Sequence, residues 1–116
     1  MGFLNTFFGA IEYVFNYLIE TVKKYFVAVL NFMAHIVNYF KNLNLDPNKQ
    51  TPFVMDAKKL KEMIHNAPVV NCGVFEAVYN ENTEELESYR HISSNQLDAQ
   101  TRDIFSKDED GLVVLS

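Results

Sequence analysis

Apolar residues recur every three or four positions along the first 42 residues of the chain. The positions that follow this spacing are Leu4, Phe8, Ile11, Phe15, Leu18, Val22, Tyr25, Val29, Phe32, Ile36 and Tyr39. Such a repeat is a strong signal for a helix with one packing face. No proline occurs before Pro47. The pattern therefore predicts a helix of about 36 residues, roughly 54 Å long, which ends near Asn42 and leaves a kink at Lys23-Lys24 open.

The apolar arc of this predicted helix is wider than a two-stranded seam, because Phe7, Val14, Phe26 and Phe40 flank the repeat. A helix that is apolar around most of its girth has to be covered around most of its girth. Each large buried side chain is worth about 1.5–3 kcal/mol. The eleven repeat positions are therefore the predicted interaction residues. The expected partners are the chain itself, in three or more copies, or a larger protein.

The pattern changes after residue 42. Residues 43–55 contain Pro47 and Pro52 and are predicted to be a linker. Asp56 then precedes a short amphipathic segment and is expected to cap a helix that Pro68 ends. These features place a boundary between an N-terminal element and a C-terminal module.

From residue 69 onward the apolar period is two, which is typical of strands. Residues 69–79 are predicted to form a first strand, with Gly73 at a bulge or a close approach of two backbones. Residues 86–93 are predicted to form a second strand. Leu86, Ser88, Arg90 and Ile92 are expected on one of its faces. A helix over 94–106 and a strand over 112–116 complete the predicted module.

The predicted fold is therefore α+β, with a long N-terminal helix followed by a small α-β-β-α-β module. The predicted domains are 1–42 for association, 43–55 as a linker and 56–116 as an acidic module. The charge supports this division: 1–42 hold two Glu and three Lys, a sum of +1, out of a total of −5, so 43–116 carry −6. No basic surface for DNA or RNA is expected.

A membrane is the alternative setting for the N-terminal segment. Residues 25–40 carry no formal charge but include Asn31, His35 and Asn38. A single span needs about 20 mostly apolar residues, and a helix lying on a membrane surface usually carries a face rich in Lys and Arg. The repeat favours packing against protein, with a small membrane-associated oligomeric effector as the alternative.

The single cysteine, Cys72, excludes an intrachain disulfide scaffold. No Lys or Arg precedes Lys23, so a cleaved secretory leader is not expected. These features favour an intracellular protein, with membrane association left open.

Residues that could carry chemistry are few. His35, His65 and His91 have no metal-ligand spacing, and no phosphate-binding glycine loop is present. We therefore expect no metal, cofactor, small-molecule substrate or catalysis. Cys72 is expected to be a small buried side chain, and the acidic residues from 84 to 87 are expected to be solvated charges at a strand edge.

The function that follows is a non-enzymatic assembly or interaction protein that associates through its N-terminal helix. A membrane-associated effector with a sensing C-terminal module is one alternative. A small-ligand-binding or enzymatic module in 56–116 is a second.

Overall fold

The structure is a computed structural model that describes residues 2–63, 72–107 and 111–115. Helix α1 (Gly2–Tyr17) and a 3-10 turn (Ile19–Thr21) lead into strand β1 (Lys23–Leu30). A π-helix (Met33–Val37) continues into α2 (Asn38–Lys41). Next come β2 (Gln50–Asp56), α3 (Ala57–Met63), β3 (Gly73–Asn80) and β4 (Glu85–Leu97). Helix α4 (Ala99–Ser106) and β5 (Leu112–Val114) end the order.

The predicted long N-terminal helix is wrong. Helix α1 stops at Tyr17, and residues 23–30 form a strand that pairs with β4 in parallel. Residues 25–29 are aromatic, β-branched or small, a composition suited to a half-buried strand. The chain is consequently neither a helix bundle nor a coiled coil, and the fold is one mixed sheet with short helices.

The five strands lie in the order β1-β4-β3-β2-β5. The β1–β4 pair is parallel and the other three pairs are antiparallel. The sheet draws strands from all three predicted segments, since β2 lies largely within the predicted linker 43–55. The radius of gyration, 13.2 Å, is that of one folded domain of this length, for which about 13 Å is typical.

Alternate side chains of the inner strands pack on opposite faces of the sheet, as the strand period requires. Phe53, Met55 and Phe75 contact α1 and α3 on one face, which we call the α1 face. Val54 and Val74 belong to the core of the other face, which we call the α4 face. The π-helix, α2 and α4 cover that face. Two cores therefore stabilise one sheet.

A bulge in β4 changes which face its side chains occupy. Glu87 pairs with Val78 but Arg90 pairs with Glu76, so β4 has one residue more than β3 in this interval. Ser88, within it, has a φ of +50°. Leu86 consequently packs on the α1 face and Ile92 on the α4 face. The prediction that these residues share one face was wrong, because an extra residue in a strand inverts the alternation beyond it.

The predicted close approach at Gly73 is confirmed. A Cβ at this position would lie 2.3 Å from the carbonyl oxygen of Ile92 on the neighbouring strand. The Gly73 φ of +155° is also one that side-chain-bearing residues rarely adopt. Glycine is therefore required where β3 begins to pair with β4.

Candidate interaction surface

Strand β1 is an edge strand whose side chains are mostly exposed. It pairs with β4 on one side, and among the described residues no strand pairs with its other side. Of its eight residues, Leu30 is buried, Val27 is half-buried and the other six are exposed. Its outer backbone edge therefore offers hydrogen-bonding groups over the length of a whole strand.

Large apolar side chains project from both faces of this edge. The exposed fractions are 47% for Tyr25, 63% for Phe26 and 41% for Val29, and Met33 in the π-helix is 51% exposed. Lys23 and Lys24 lie at the start of the strand. These six residues, Lys23, Lys24, Tyr25, Phe26, Val29 and Met33, are the β1 edge surface. A concentration of exposed large apolar side chains on a small domain is typical of an interaction site.

Arg90 supports this surface from beneath. Its guanidinium lies 3.7 Å from the ring centroid of Tyr39 and 5.4 Å from that of Tyr25. Both distances are within the range of cation–π attraction. Its Nη2 donates a hydrogen bond of 2.7 Å to the carbonyl of His35 in the π-helix. Arg90 thus connects β1, the π-helix and α2.

The charge of Arg90 is balanced by Glu76, which is fully buried on β3. Arg90 Nε donates a hydrogen bond of 2.5 Å to Glu76 Oε1, while Oε2 has no partner among the described residues. Burial raises the pKa of Glu76 to about 7, and the hydrogen bond from Arg90 opposes part of this rise. The Glu76 carboxyl therefore changes its protonation state near neutral pH.

The bulge at Ser88 is what brings Arg90 to Glu76. Without the extra residue, Arg90 would point to the α1 face, as Leu86 does. The carbonyl of Ser88 itself accepts a hydrogen bond of 2.5 Å from the hydroxyl of Tyr39. The tyrosine that stacks on Arg90 is thus held by the same bulge.

His91 lies on the opposite face from Arg90. It is 3% exposed and its Nε2 has no partner among the described residues. Burial lowers the pKa of His91, and the nearby charge of Lys24 lowers it further. Burial and the Lys24 charge therefore both disfavour the charged form of His91 beneath the lysine end of β1.

The other end of β1 carries a negative charge. The backbone N–H of Asp98 donates a hydrogen bond of 3.0 Å to the carbonyl of Leu30, the last residue of the strand. The Asp98 carboxylate caps α4 at Thr101 N (2.8 Å) and accepts from Asn31 Nδ2 (2.7 Å). The hydrogen bonds from Thr101 lower the pKa of Asp98. The β1 edge is therefore cationic where it begins and anionic where it ends.

The structure divides the predicted interaction residues. Ile11, Phe15 and Val22 are buried against the α1 face of the sheet, with Phe8 and Leu18 packed partly against them. These five side chains lie within the core of the chain itself.

The later repeat positions differ from one another in how far their side chains are buried. Phe32 and Ile36 are buried on the α4 face and Tyr39 is half-buried there. Tyr25 and Val29 are exposed on β1. The side chain of Leu4 lies outside the described part. Of the ten predicted residues whose side chains the structure describes, only two therefore belong to the exposed surface. Phe26, the most exposed aromatic on it, is predicted only to flank the repeat.

Cys72 lies beside a groove of about 380 Å³ that Asp56, Asn95 and Arg102 also line. Cys72 is half-buried rather than buried, and it accepts a hydrogen bond from Ser94 Oγ at 3.4 Å. Within the described ranges, no three His, Cys, Asp or Glu side chains come together as a metal site. His65 lies outside the described residues.

Glu76 and Arg90 are the residues of this site that the sequence reasoning missed. The available signal was a single glutamate inside an apolar strand, Val74-Phe75-Glu76-Ala77-Val78. A buried carboxylate needs a cationic or hydrogen-bonding partner, and Arg90 is the only arginine in the following predicted strand.

In the part of the chain that the structure describes, no helix combines the length and apolar character that crossing a bilayer requires. Comparison of the chain with protein-family models, with curated proteins and with solved structures finds no match.

Proposed function

We propose that this chain is a non-enzymatic interaction protein that pairs with a second copy of itself through the outer edge of β1. The observation that carries the proposal is an eight-residue edge strand with exposed apolar side chains on both faces. Natural proteins usually protect such an edge with proline, bulges or spread charges. In β1 the only charges are the two lysines at its start.

Charge supports an antiparallel arrangement of the two strands. Antiparallel β1 strands about a two-fold axis would bring Lys23 of one copy beside Leu30 of the other, close to the Asp98 carboxylate. A parallel arrangement would place four lysines at one end, and like charges opposite each other destabilise a strand pair. The two-fold antiparallel pair also forms a closed dimer, because the same surface is used on both copies.

Apolar burial supports the same arrangement. Tyr25 and Val29 lie on one face of β1 and Phe26 on the other, so the side chains of a partner strand would pack beside them on both faces. Covering such side chains contributes roughly 25 cal/mol for each Å² of apolar surface. Glu76 and Arg90, the nearest acid–base pair, are engaged with each other, which favours a role in support of the surface over catalysis.

The test compares matched variants on the two edge strands of the sheet. Phe26→Asp places a charge on the β1 edge surface, and Val114→Asp places one on β5, where Val114 is 55% exposed. Sedimentation analysis over a range of concentrations should show a reversible dimer for the unmodified chain and for Val114→Asp. Phe26→Asp should be monomeric, with an unchanged circular dichroism spectrum.

A membrane surface is the alternative occupant, favoured by the lysine pair next to exposed aromatics. Sedimentation with vesicles that contain anionic lipid separates the two. A chain that stays monomeric, binds these vesicles and loses binding on Phe26→Asp would support membrane association in place of pairing. A chain that neither dimerises nor binds vesicles would contradict both. An intracellular setting, consistent with a single cysteine, stays part of this proposal.

A further inference from the structure

A second surface lies on the other side of the molecule from the π-helix, between α1 and the turn that joins β3 to β4. It is an open groove of about 630 Å³. Its helical wall consists of Gly9, Ala10, Tyr13 and Val14 of α1, together with Leu18, which follows the helix. The other wall is residues 83–86. We call it the α1 groove, and its volume is within the range of roughly 300–1,000 Å³ that ligand sites occupy.

The helical wall of the α1 groove is apolar, and its side chains are small at Gly9 and Ala10. A Cβ at Gly9 would meet nothing within 4 Å, so the wall is open at that point. Val14 is buried and Leu18 packs partly against the core, so they form an apolar floor. Tyr13 and Tyr17 extend the apolar surface outward, with ring centroids 5.3 Å apart and exposed fractions of 56% and 74%. An elongated apolar object therefore fits this wall better than a compact polar one.

The other wall is acidic. Asn80 builds the turn, since its Oδ1 accepts hydrogen bonds from the backbone of Asn82 and Thr83. The chain then presents Glu84, whose φ is +59°, and Glu85. Both carboxylates are exposed, and among the described residues neither forms an ion pair with a lysine or arginine.

The acidic character extends along the whole turn. Residues 81–86 contain Glu81, Glu84 and Glu85 and no basic residue, a formal charge of −3 within six residues. Among the described residues, no lysine or arginine lines the α1 groove. An occupant therefore needs an apolar face for the floor and positive charges for this wall.

We infer that the α1 groove binds an amphipathic helix of a partner protein, with Lys or Arg residues flanking its apolar face. A helix laid in a groove is a common recognition mode, in which the apolar face enters the groove. Gly9 and Ala10 allow the two helices to approach closely, and Tyr13 offers a ring to a cationic side chain. This inference uses different residues from the β1 edge surface and stands independently of the proposed dimer.

The test uses two synthetic helical peptides of about 18 residues, or five turns, with identical apolar faces. One carries Lys and Arg on its polar face and the other carries Glu. Fluorescence anisotropy with the full chain should show the basic peptide binding at least about tenfold more tightly, with affinity falling as salt is raised.

Two variants locate the binding site. Gly9→Leu fills the α1 groove, and leucine is a better helix former than glycine, so lost binding would not come from a weakened helix. The pair Glu84→Lys and Glu85→Lys reverses the acidic wall. The matched control, Glu62→Lys with Asp103→Lys, makes the same change in net charge at exposed residues of α3 and α4. Binding should weaken at least about tenfold in both groove variants and by less than about threefold in the control.

Three outcomes would overturn the inference. They are equal binding of the basic and acidic peptides, no binding of the basic peptide, and an equal loss of binding in the wall-reversal and control variants. An equal loss in the wall-reversal and control variants would show that the basic peptide is attracted to the net charge of the chain and not to the groove. Tyr13→Ser, an exposed substitution, gives an independent measurement if Gly9→Leu alters the fold.

Discussion

The two edges of the sheet differ in length and in what they expose. Strand β1 has eight residues, and its side chains from Lys23 to Val29 are mostly exposed. Strand β5 has three residues, of which Leu112 and Val113 are half-buried and only Val114 is exposed. A very short edge strand offers few groups to another chain. Of the two edges, β1 is therefore the one that presents a strand-length surface to another chain.

The two edges are also held in place by different means. β5 depends on backbone: Gly111 adopts a φ of +65° and its carbonyl accepts a hydrogen bond of 2.8 Å from Asp56 N. β1 pairs with β4 from Lys23 to Leu30, and the side chain of Arg90 on β4 adds a contact with Tyr25 while carrying the charge that balances Glu76. The β1 edge is therefore sensitive to charge and pH, and the β5 edge to backbone conformation.

The largest effect is expected from Arg90→Met. This substitution keeps much of the aliphatic stem but leaves Glu76 buried without its cation. Removing one partner of a buried ion pair typically costs about 3–5 kcal/mol. Urea denaturation near pH 8 should show this loss, and association through β1 should weaken with it. Arg102→Met, at an exposed position of α4, is the control and should change stability by less than about 0.5 kcal/mol.

A slightly smaller effect is expected from pH. The pKa of Glu76 rises from 4.5 to about 7 on folding, so the folded chain binds this proton more tightly than the unfolded chain. The stabilisation is complete below pH 4.5 and is lost as pH rises through about 7. At 1.36 kcal/mol for each pKa unit, it amounts to about 3 kcal/mol.

The measurement is the unfolding free energy of the unmodified chain minus that of Glu76→Gln, between pH 4.5 and 8. This difference should fall as pH rises, because glutamine does not titrate. Glu12→Gln, on the exposed face of α1, is the reference variant and should show no such slope. A flat difference for Glu76→Gln would mean that the carboxylate stays charged throughout.

At the other edge, Gly111→Ala should destabilise the chain by about 1–3 kcal/mol, the cost of holding a side chain in a sparsely populated backbone conformation. The new Cβ would lie 2.9 Å from Lys59 Cγ and 3.0 Å from Asp56 Cβ. Thermal unfolding should report the loss, while the dimerisation constant should not change. Weaker dimerisation at equal folding would show that β5 takes part in association.

The smallest effect is expected from reversing the lysines of β1. Lys23→Glu with Lys24→Glu would place negative charge beside the Asp98 carboxylate of an antiparallel partner. Exposed pairs contribute about 0.2–1 kcal/mol each, so dimerisation should weaken by several-fold to about tenfold at low salt. Lys41→Glu with Lys49→Glu is the control of equal charge change. An unchanged dimerisation constant for the β1 variant would indicate parallel strands, because four clustered glutamates repel one another as four clustered lysines do.

Local pattern predicted much of the region after residue 72. Period-two alternation marked β3 and most of β4, and the short apolar run at 112–114 marked β5. Gly73 was predicted to lie at a bulge or a close approach of two backbones because it is a glycine within the predicted strand. The predicted helix over 94–106 began too early, since residues 94–97 extend β4 where it pairs with β1. That pairing is between distant segments, and no local pattern reports it.

The N-terminal region failed for a different physical reason. Between Tyr25 and Leu30 every residue is apolar, so a helical period and a strand period fit equally well. The apolar repeat describes a packing face in α1, and the same spacing continues through this run without a break. The enrichment in Val, Phe and Tyr is the local feature of this run that favours a strand.

The amino-acid order by itself determined that the first forty residues are too apolar to remain uncovered and that the charge lies mostly in the later part. It also determined the alternation of the inner strands, because side-chain period is a local property. Only the tertiary structure decided what covers the apolar residues, since most of them pack against their own sheet. The bulge at Ser88, the pairing of Glu76 with Arg90 and the exposure of Phe26 all depend on strand register. Register is set by contacts between segments far apart in the chain, each of which is compatible with several arrangements until the others are in place.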